Sequence, residues 1–168
     1  MEPVLEMDES PLDVRDFKAV LGRFCTGVTV ITAHSEDGPV GFTCQSFSAL
    51  SLEPPAVCFC PARTSTSWPR IRAVGRLCVN ILAHDQQEIC RRLARSGTDK
   101  FAGVDWEPSP NGSPRLAGAM AWLDCEIEQE VDGGDHTIVI ARVTALSEHR
   151  EAPPLLFYRS AFRRLDEA

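Results

Sequence analysis

Residues 122–131 read Trp122-Leu123-Asp124-Cys125-Glu126-Ile127-Glu128-Gln129-Glu130-Val131, with Leu123, Cys125, Ile127 and Val131 alternating against Asp124, Glu126, Glu128 and Glu130. A period of two over that length specifies a strand with one apolar face and one wet, acidic face. Gly133-Gly134-Asp135-His136 then turns the chain into residues 137–146, a second strand-length run rich in β-branched residues. Upstream, residues 56–60 and 77–82 are unbroken apolar runs bounded by Pro, Gly or polar residues, and read as buried strands. Residues 28–33 and 40–43 flank the turn-forming Ser35-Glu36-Asp37-Gly38-Pro39 and read as a hairpin.

Helical signals are fewer. Ser10-Pro11-Leu12-Asp13 has the form of a helix start, with Ser10 as cap and Pro11 in the first position. Val14, Phe17, Val20, Leu21 and Phe24 follow at helical spacing, up to Cys25-Thr26-Gly27. A short helix is expected from Trp68 to a stop at Gly75, and an amphipathic one from Asp85 to Ser96, closed by Gly97. Residues 103–118, with Pro108, Pro110, Asn111, Gly112 and Pro114, read as a loop. About six strands and three helices without βαβ alternation exclude a doubly wound parallel sheet, and the pattern fits a mainly β, antiparallel barrel with peripheral helices. The expected layout is a leader over residues 1–10 and one domain over 11–168.

The composition narrows the function. The 168 residues are 43% hydrophobic and 24% charged, which suits one globular core and neither a disordered nor a membrane-embedded chain. The start lacks the basic and apolar regions of a secretory signal, so a cytoplasmic protein is expected. A net charge of −7 argues against nucleic acid, although Arg63, Arg70 and Arg72 could offset it locally for a small anion. The seven cysteines are odd in number, contain no C-x-x-C pair and mostly lie in apolar runs, so buried free thiols are expected. His34, His84, His136 and His149 are too scattered to suggest a metal site. Neither G-x-G-x-x-G nor a P-loop is present, so a nucleotide would have to be held in another way.

Three elements have the residue types for a site. Residues 41–51, Gly41-Phe42-Thr43-Cys44-Gln45-Ser46-Phe47-Ser48-Ala49-Leu50-Ser51, are dense in hydroxyls that can bond the edge of a flat heterocycle, or else form an ordinary Ser/Thr-rich connection. Ser65-Thr66-Ser67 precede a helix, where N–H groups favour a phosphate and Arg63 would add donors; plain capping explains them equally. His136 at a turn can donate to a carboxamide or phosphate, or be a surface residue; a serine or cysteine hydrolase built on it lacks the G-x-S-x-G elbow.

The order and wording of several blocks add to these elements. They are Gly27-Val28-Thr29-Val30-Ile31-Thr32, the stretch from Gly41 on to Leu52-Glu53-Pro54-Pro55, Val79-Asn80-Ile81-Leu82, Asp99-Lys100-Phe101-Ala102-Gly103-Val104, Gly134-Asp135-His136 and Pro154-Leu155-Leu156-Phe157-Tyr158-Arg159. Together, from about Phe17 to Leu165, the chain resembles the short-chain flavin reductases, the NAD(P)H:flavin oxidoreductases that serve two-component flavin-dependent monooxygenases. The resemblance implies a Greek-key-like split β-barrel that forms a homodimer and uses NADH, or NADPH, to reduce FAD or FMN. The reduced flavin would then pass to a partner oxygenase. It also implies flavin contacts from Phe42, Thr43, Cys44, Gln45, Ser46, Ser48, Phe59, Cys60 and Phe101, with Ser65 and Thr66 on the phosphate. His136, Tyr158 and Arg159 would meet the dinucleotide. Hydride transfer is the cofactors' own chemistry, so no catalytic acid or base is expected. The chain departs from the commoner wording at Cys44, Gln45 and Ser160, where relatives carry a smaller residue, Asn or Ser, and Gly. The other reading of the same barrel is a flavin-binding or storage protein without rapid turnover.

Overall fold

A computed structural model of the chain describes residues 11–97 and 99–165, so the expected leader and the Ser10 cap lie outside the described residues. In chain order the elements are α1 (Val14–Leu21), β1 (Thr26–Gly27), β2 (Thr29–Ser35), β3 (Gly38–Cys44), β4 (Phe47–Leu52), β5 (Pro55–Phe59), α2 (Trp68–Val74), β6 (Arg76–Ile81), α3 (Gln87–Leu93), β7 (Trp106–Pro108), β8 (Pro114–Leu116), β9 (Ala121–Gly133), β10 (His136–Glu148), β11 (Leu156–Tyr158) and β12 (Ala161–Arg163). The protein is mainly β with few helices. Seven strands form one antiparallel sheet in the order β3-β2-β6-β9-β10-β5-β4. Its two edge strands are consecutive in sequence, joined by Gln45 and Ser46 alone. Two linking residues span only about 10 Å, so the sheet curls until its edges converge at that corner, although no ladder joins them.

The alternation over 122–131 does form β9, but its phase changes. Ile127 pairs with Ala141 and Gln129 with Ile140, leaving Glu128 as the extra residue of a β-bulge. A one-residue insertion moves every later side chain to the opposite face. Val131, expected inside, is therefore exposed, and Glu130 faces the core side opposite Val139, where it accepts from Trp68 Nε1 at 3.3 Å and Arg72 Nε at 2.6 Å. Glu126 and Glu128 keep the expected wet face and both pair with Arg142. Asp124 is fully buried instead. The segment 103–118, expected to be a loop, carries the β7–β8 hairpin over that end of the sheet, and the Asn111 N–H donates to Asp124 Oδ2 at 2.9 Å.

Asn80 fastens this hairpin to the sheet. Its Nδ2 donates to Val30 O, Thr32 Oγ1 and Pro114 O, and its Oδ1 accepts from the Leu116 N–H at 2.8 Å, all fully buried. Replacing it strands several buried polar groups together. Asn80→Ala should cost about 2 kcal/mol in urea unfolding, with an unchanged m-value.

One core fills the curl of the sheet, with Ile31, Phe59, Leu77, Val79 and Val139 covered by Trp68 and Ile71 of α2. A second lies between the sheet, α3 and the C-terminal strands, around Val28, Leu82, Leu93, Leu116 and Leu155. α2 begins at Trp68 and ends as expected, with Gly75 in the left-handed conformation at φ 79°. α3 starts later than expected because Gln86 is engaged elsewhere, accepting from the Ala83 N–H and donating to Ala117 O, and it ends at Leu93 rather than at Ser96. α1 starts later than expected, because Asp13 Oδ1 accepts from the Arg15 N–H at 2.7 Å and so makes Asp13 the cap. Its apolar face is bare: Val14, Phe17, Val20 and Leu21, and Phe24 beyond, are all exposed. All seven cysteines are free; Cys44, Cys78, Cys90 and Cys125 are buried as expected, Cys58 and Cys60 are partly exposed, and Cys25 is exposed. No helix among the described residues is long and apolar enough to cross a membrane.

Candidate functional site

At the corner where the sheet edges converge lies a cleft of about 500 Å³. The end of β3 and the corner supply Phe42, Thr43, Cys44, Gln45 and Ser46 to its wall, and the end of β5 supplies Cys60. The turn into α2 adds Ser65 and Thr66, and the start of β10 adds His136. Nine residues proposed from sequence, spread over almost a hundred positions, therefore share one cavity.

Hydrogen bonding separates the hydroxyls that build the wall from those left unengaged. Ser46 Oγ accepts from the Cys60 N–H and donates to Cys60 O, both at 3.0 Å, so it stitches the corner to β5. Thr43 Oγ1 donates to Cys90 O at 2.6 Å. Ser65 Oγ accepts from the Trp68 N–H at 3.1 Å, which caps the helix yet leaves the hydroxyl proton free to donate. The Thr64, Thr66 and Ser67 hydroxyls, and the N–H groups of Thr66 and Ser67, have no partner among the described residues. That cluster of donors suits a phosphate.

The charges of the cleft oppose those of the chain. Among the described residues no carboxylate is in its wall, whereas Arg95 and Lys100 are. Lys100 is only 8% exposed and its Nζ donates to Leu93 O at 3.1 Å. Burial, and then the charge of Arg70, pulls its ammonium below the usual lysine range. Sequence reasoning missed both residues: Arg95 looked like part of a solvated helix face, and only Phe101 was taken from the Asp99-Lys100-Phe101 block. The arginines it did single out are engaged elsewhere: Arg63 with Asp132, Arg72 with Glu130 and Arg70 with Ser35 Oγ. His136 Nδ1 donates to Asp135 Oδ1 at 2.7 Å, which fixes the ring and leaves Nε2 unbonded; the imidazole in turn holds the Asp135 carboxyl below its ordinary pKa. Burial raises the Cys44, Cys58 and Cys90 thiols and pushes Cys125 up to about 12, which argues against these four as nucleophiles.

Five proposed residues lie outside this cleft. Phe59 is fully buried between Phe42 and Trp68, and Phe101 packs in the second core against Gly41. Ser48 lines an adjoining, more apolar cavity of about 700 Å³, which shares Gln45, Ser46 and Cys60 with the cleft and adds Phe24, Val28 and Phe47. Tyr158 and Arg159 line neither cavity. They form the tip of the β11–β12 hairpin, where Arg159 and Ser160 both take positive φ, 50° and 61°, in the manner of a two-residue hairpin turn. Ser160 therefore takes a left-handed backbone conformation that a glycine would adopt without strain.

The protein is thus a mainly β protein whose curled antiparallel sheet bears, at its converging edges, a cleft lined by hydroxyls and basic groups with no carboxylate among the described residues. The chain belongs to the flavin reductase like domain family, whose model matches residues 21–166. It is 54% identical over 155 residues to the reductase subunit HsaB of a flavin-dependent monooxygenase from Rhodococcus jostii RHA1, covering 92% of this chain and 80% of the relative. It is 52% identical to a nitrilotriacetate monooxygenase component B homolog from Mycobacterium thermoresistibile, whose crystal structure superposes with a TM-score of 0.88 over 90% of this chain and 86% of that one. The NADH:FAD oxidoreductase SgcE6 of Streptomyces globisporus C-1027, solved with NAD and FAD fragments, is 34% identical with a TM-score of 0.86, over 94% and 97% of the two chains.

Proposed function

We infer that the protein is an NAD(P)H:flavin oxidoreductase that reduces FAD or FMN and releases the reduced flavin to a separate monooxygenase. The observation that carries this reading is the cleft itself, in which unengaged hydroxyls and N–H groups, two basic side chains and His136 meet at one corner. Ser65, Thr66 and Ser67, with Arg95 and Lys100, would hold the flavin phosphate, while Phe42 to Ser46 and Cys60 would bear on the ring system. When bound, the flavin supplies the redox chemistry by accepting a hydride from the dinucleotide. The chain's own work is to orient: His136 Nε2 offers a contact for the dinucleotide, and the stitched corner at Ser46 keeps the wall rigid. NADH is the favoured reductant, in line with the NADH:FAD oxidoreductase that shares this fold.

The finer architecture follows the same reading. A sheet curled until its edges meet without pairing is what a split barrel requires, and residues 11–168 would make up one such domain. The bare apolar face of α1 and the apolar cavity beside Phe24 call for a cover, and a second copy of the chain provides it. In that homodimer Tyr158 and Arg159 would reach a dinucleotide in the partner's cleft, since they line none in their own. A single-chain mass by sedimentation equilibrium would contradict this arrangement. Seven free thiols suit the cytoplasm.

The test is anaerobic mixing of NADH with excess oxidised FMN or FAD and a trace of protein. Bleaching over many turnovers supports a reductase that releases its flavin. Bleaching limited to one equivalent per protein would favour the storage protein, and no bleaching would refute the assignment.

A further inference from the structure

Arg63 is the one residue between Cys60 and Ser67 that does not line the cleft. Its side chain reaches instead to the tip of the β9–β10 hairpin. Nε donates to Gly134 O at 2.7 Å, and the guanidinium pairs with Asp132. Its N–H donates to Asp135 O at 2.9 Å, and the Thr137 N–H returns a bond to Pro61 O at 3.0 Å. Ala62 and His136 form an antiparallel bridge between these two bonds, and the Ser65 N–H closes onto Ala62 O at 3.0 Å. The turn that presents the Ser65 and Thr66 hydroxyls and the hairpin that presents His136 are thus one hydrogen-bonded piece.

Without the side chain of Arg63, the end of this piece is weak. The tip carries Gly133 and Gly134, the latter at φ +79° with open space around it, and glycine pairs of this kind fix the backbone poorly. A guanidinium is planar and forked, so it holds a carbonyl and a carboxylate at once in one fixed geometry, whereas an ammonium is a point charge without that fork. The tip also bears two carboxylates. Asp132 is matched by Arg63 and Asp135 by His136, so Arg63 and the imidazole hold neighbouring points of the same tip.

We propose that Arg63 is a positioning residue that clamps the His136 hairpin tip to the Pro61–Thr66 turn, so that the imidazole and the hydroxyl-lined turn face the cleft in fixed register. This rests on the reading of His136 as a contact for the dinucleotide.

The test is a double-mutant cycle over Arg63→Ala and His136→Ala, with Arg63→Lys alongside, read as NADH kinetics at saturating FMN. Arg63→Ala should raise KM for NADH about fivefold with kcat within about twofold, as expected when binding alone is impaired. Arg63→Lys should fall between Ala and wild type. With His136 already replaced, Arg63→Ala should add less than about twofold, because interacting sites are non-additive. In parallel, amide hydrogen exchange at Thr137 and at residue 63 should accelerate at least about tenfold in Arg63→Ala. The proposal is overturned by an unchanged KM, by an equal effect of Arg63→Ala with and without His136, or by unaltered exchange. A wild-type protein inactive with flavin and NADH would sink the functional reading, and the exchange arm would still decide whether Arg63 clamps the tip.

Discussion

Replacing Thr66 with aspartate should weaken FMN binding about 100-fold, or about 2.7 kcal/mol. The Thr66 hydroxyl and N–H have no partner among the described residues and face the cleft, so the substitution breaks no bond within the fold. It places a carboxylate where the reading puts a phosphate. Two like charges about 4 Å apart near a protein surface repel by about 4 kcal/mol, reduced by whatever the ligand regains by shifting. Fluorescence titration with riboflavin separates this effect from damage to the ring site: riboflavin has no phosphate, so the variant should bind it as wild type does. Equal losses for FMN and riboflavin would place the phosphate elsewhere.

Gly41→Ala should destabilise the protein by about 3 kcal/mol, the upper range for an overpacked site. Gly41 lies opposite Thr32 in the β2–β3 ladder. A Cβ there would come within 2.8 Å of Ile31 O, 3.2 Å of Thr32 Cγ2 and 3.3 Å of the Phe101 ring. The nearest of these is backbone in the middle of the sheet and cannot rotate away. Relief must come from β3 moving, and β3 runs straight into the Phe42 to Ser46 wall of the cleft. The expected signature is a lowered urea midpoint together with weaker flavin binding. A variant as stable as wild type would show that the β2–β3 contact is looser than this spacing implies.

How much of this could be read in the sequence depended on length and on partners. β9, β10, β2 and β6 are long enough for periodicity or unbroken apolar runs to register, whereas β1, β7, β8, β11 and β12 have two or three residues each and leave no pattern. β4 escaped notice because it is an exposed edge whose alternation is broken by an extra residue, Leu50, between Ala49 and Ser51. The bulge at Glu128 could not be read, because it depends on which residue of β10 sits opposite. In the site, the hydroxyl elements and His136 were legible as types and their convergence was implied by family resemblance. Charge was not: Arg63 looked like a phosphate donor until Asp132 and Gly134 O occupied it, and Lys100 gained its place by folding back onto the end of α3. Phe59 and Phe101, expected at the ligand, pack in and against the two cores, a placement their apolar rings suit equally.

The location of the ligand decides the account most directly, through a crystal structure of the protein grown with oxidised FMN. The predicted density has the ring system against Phe42 to Ser46 and Cys60, with the phosphate on Ser65, Thr66 and Ser67. FMN lying only in the apolar cavity beside Phe24 and Phe47, with the hydroxyl-lined turn empty, would contradict it.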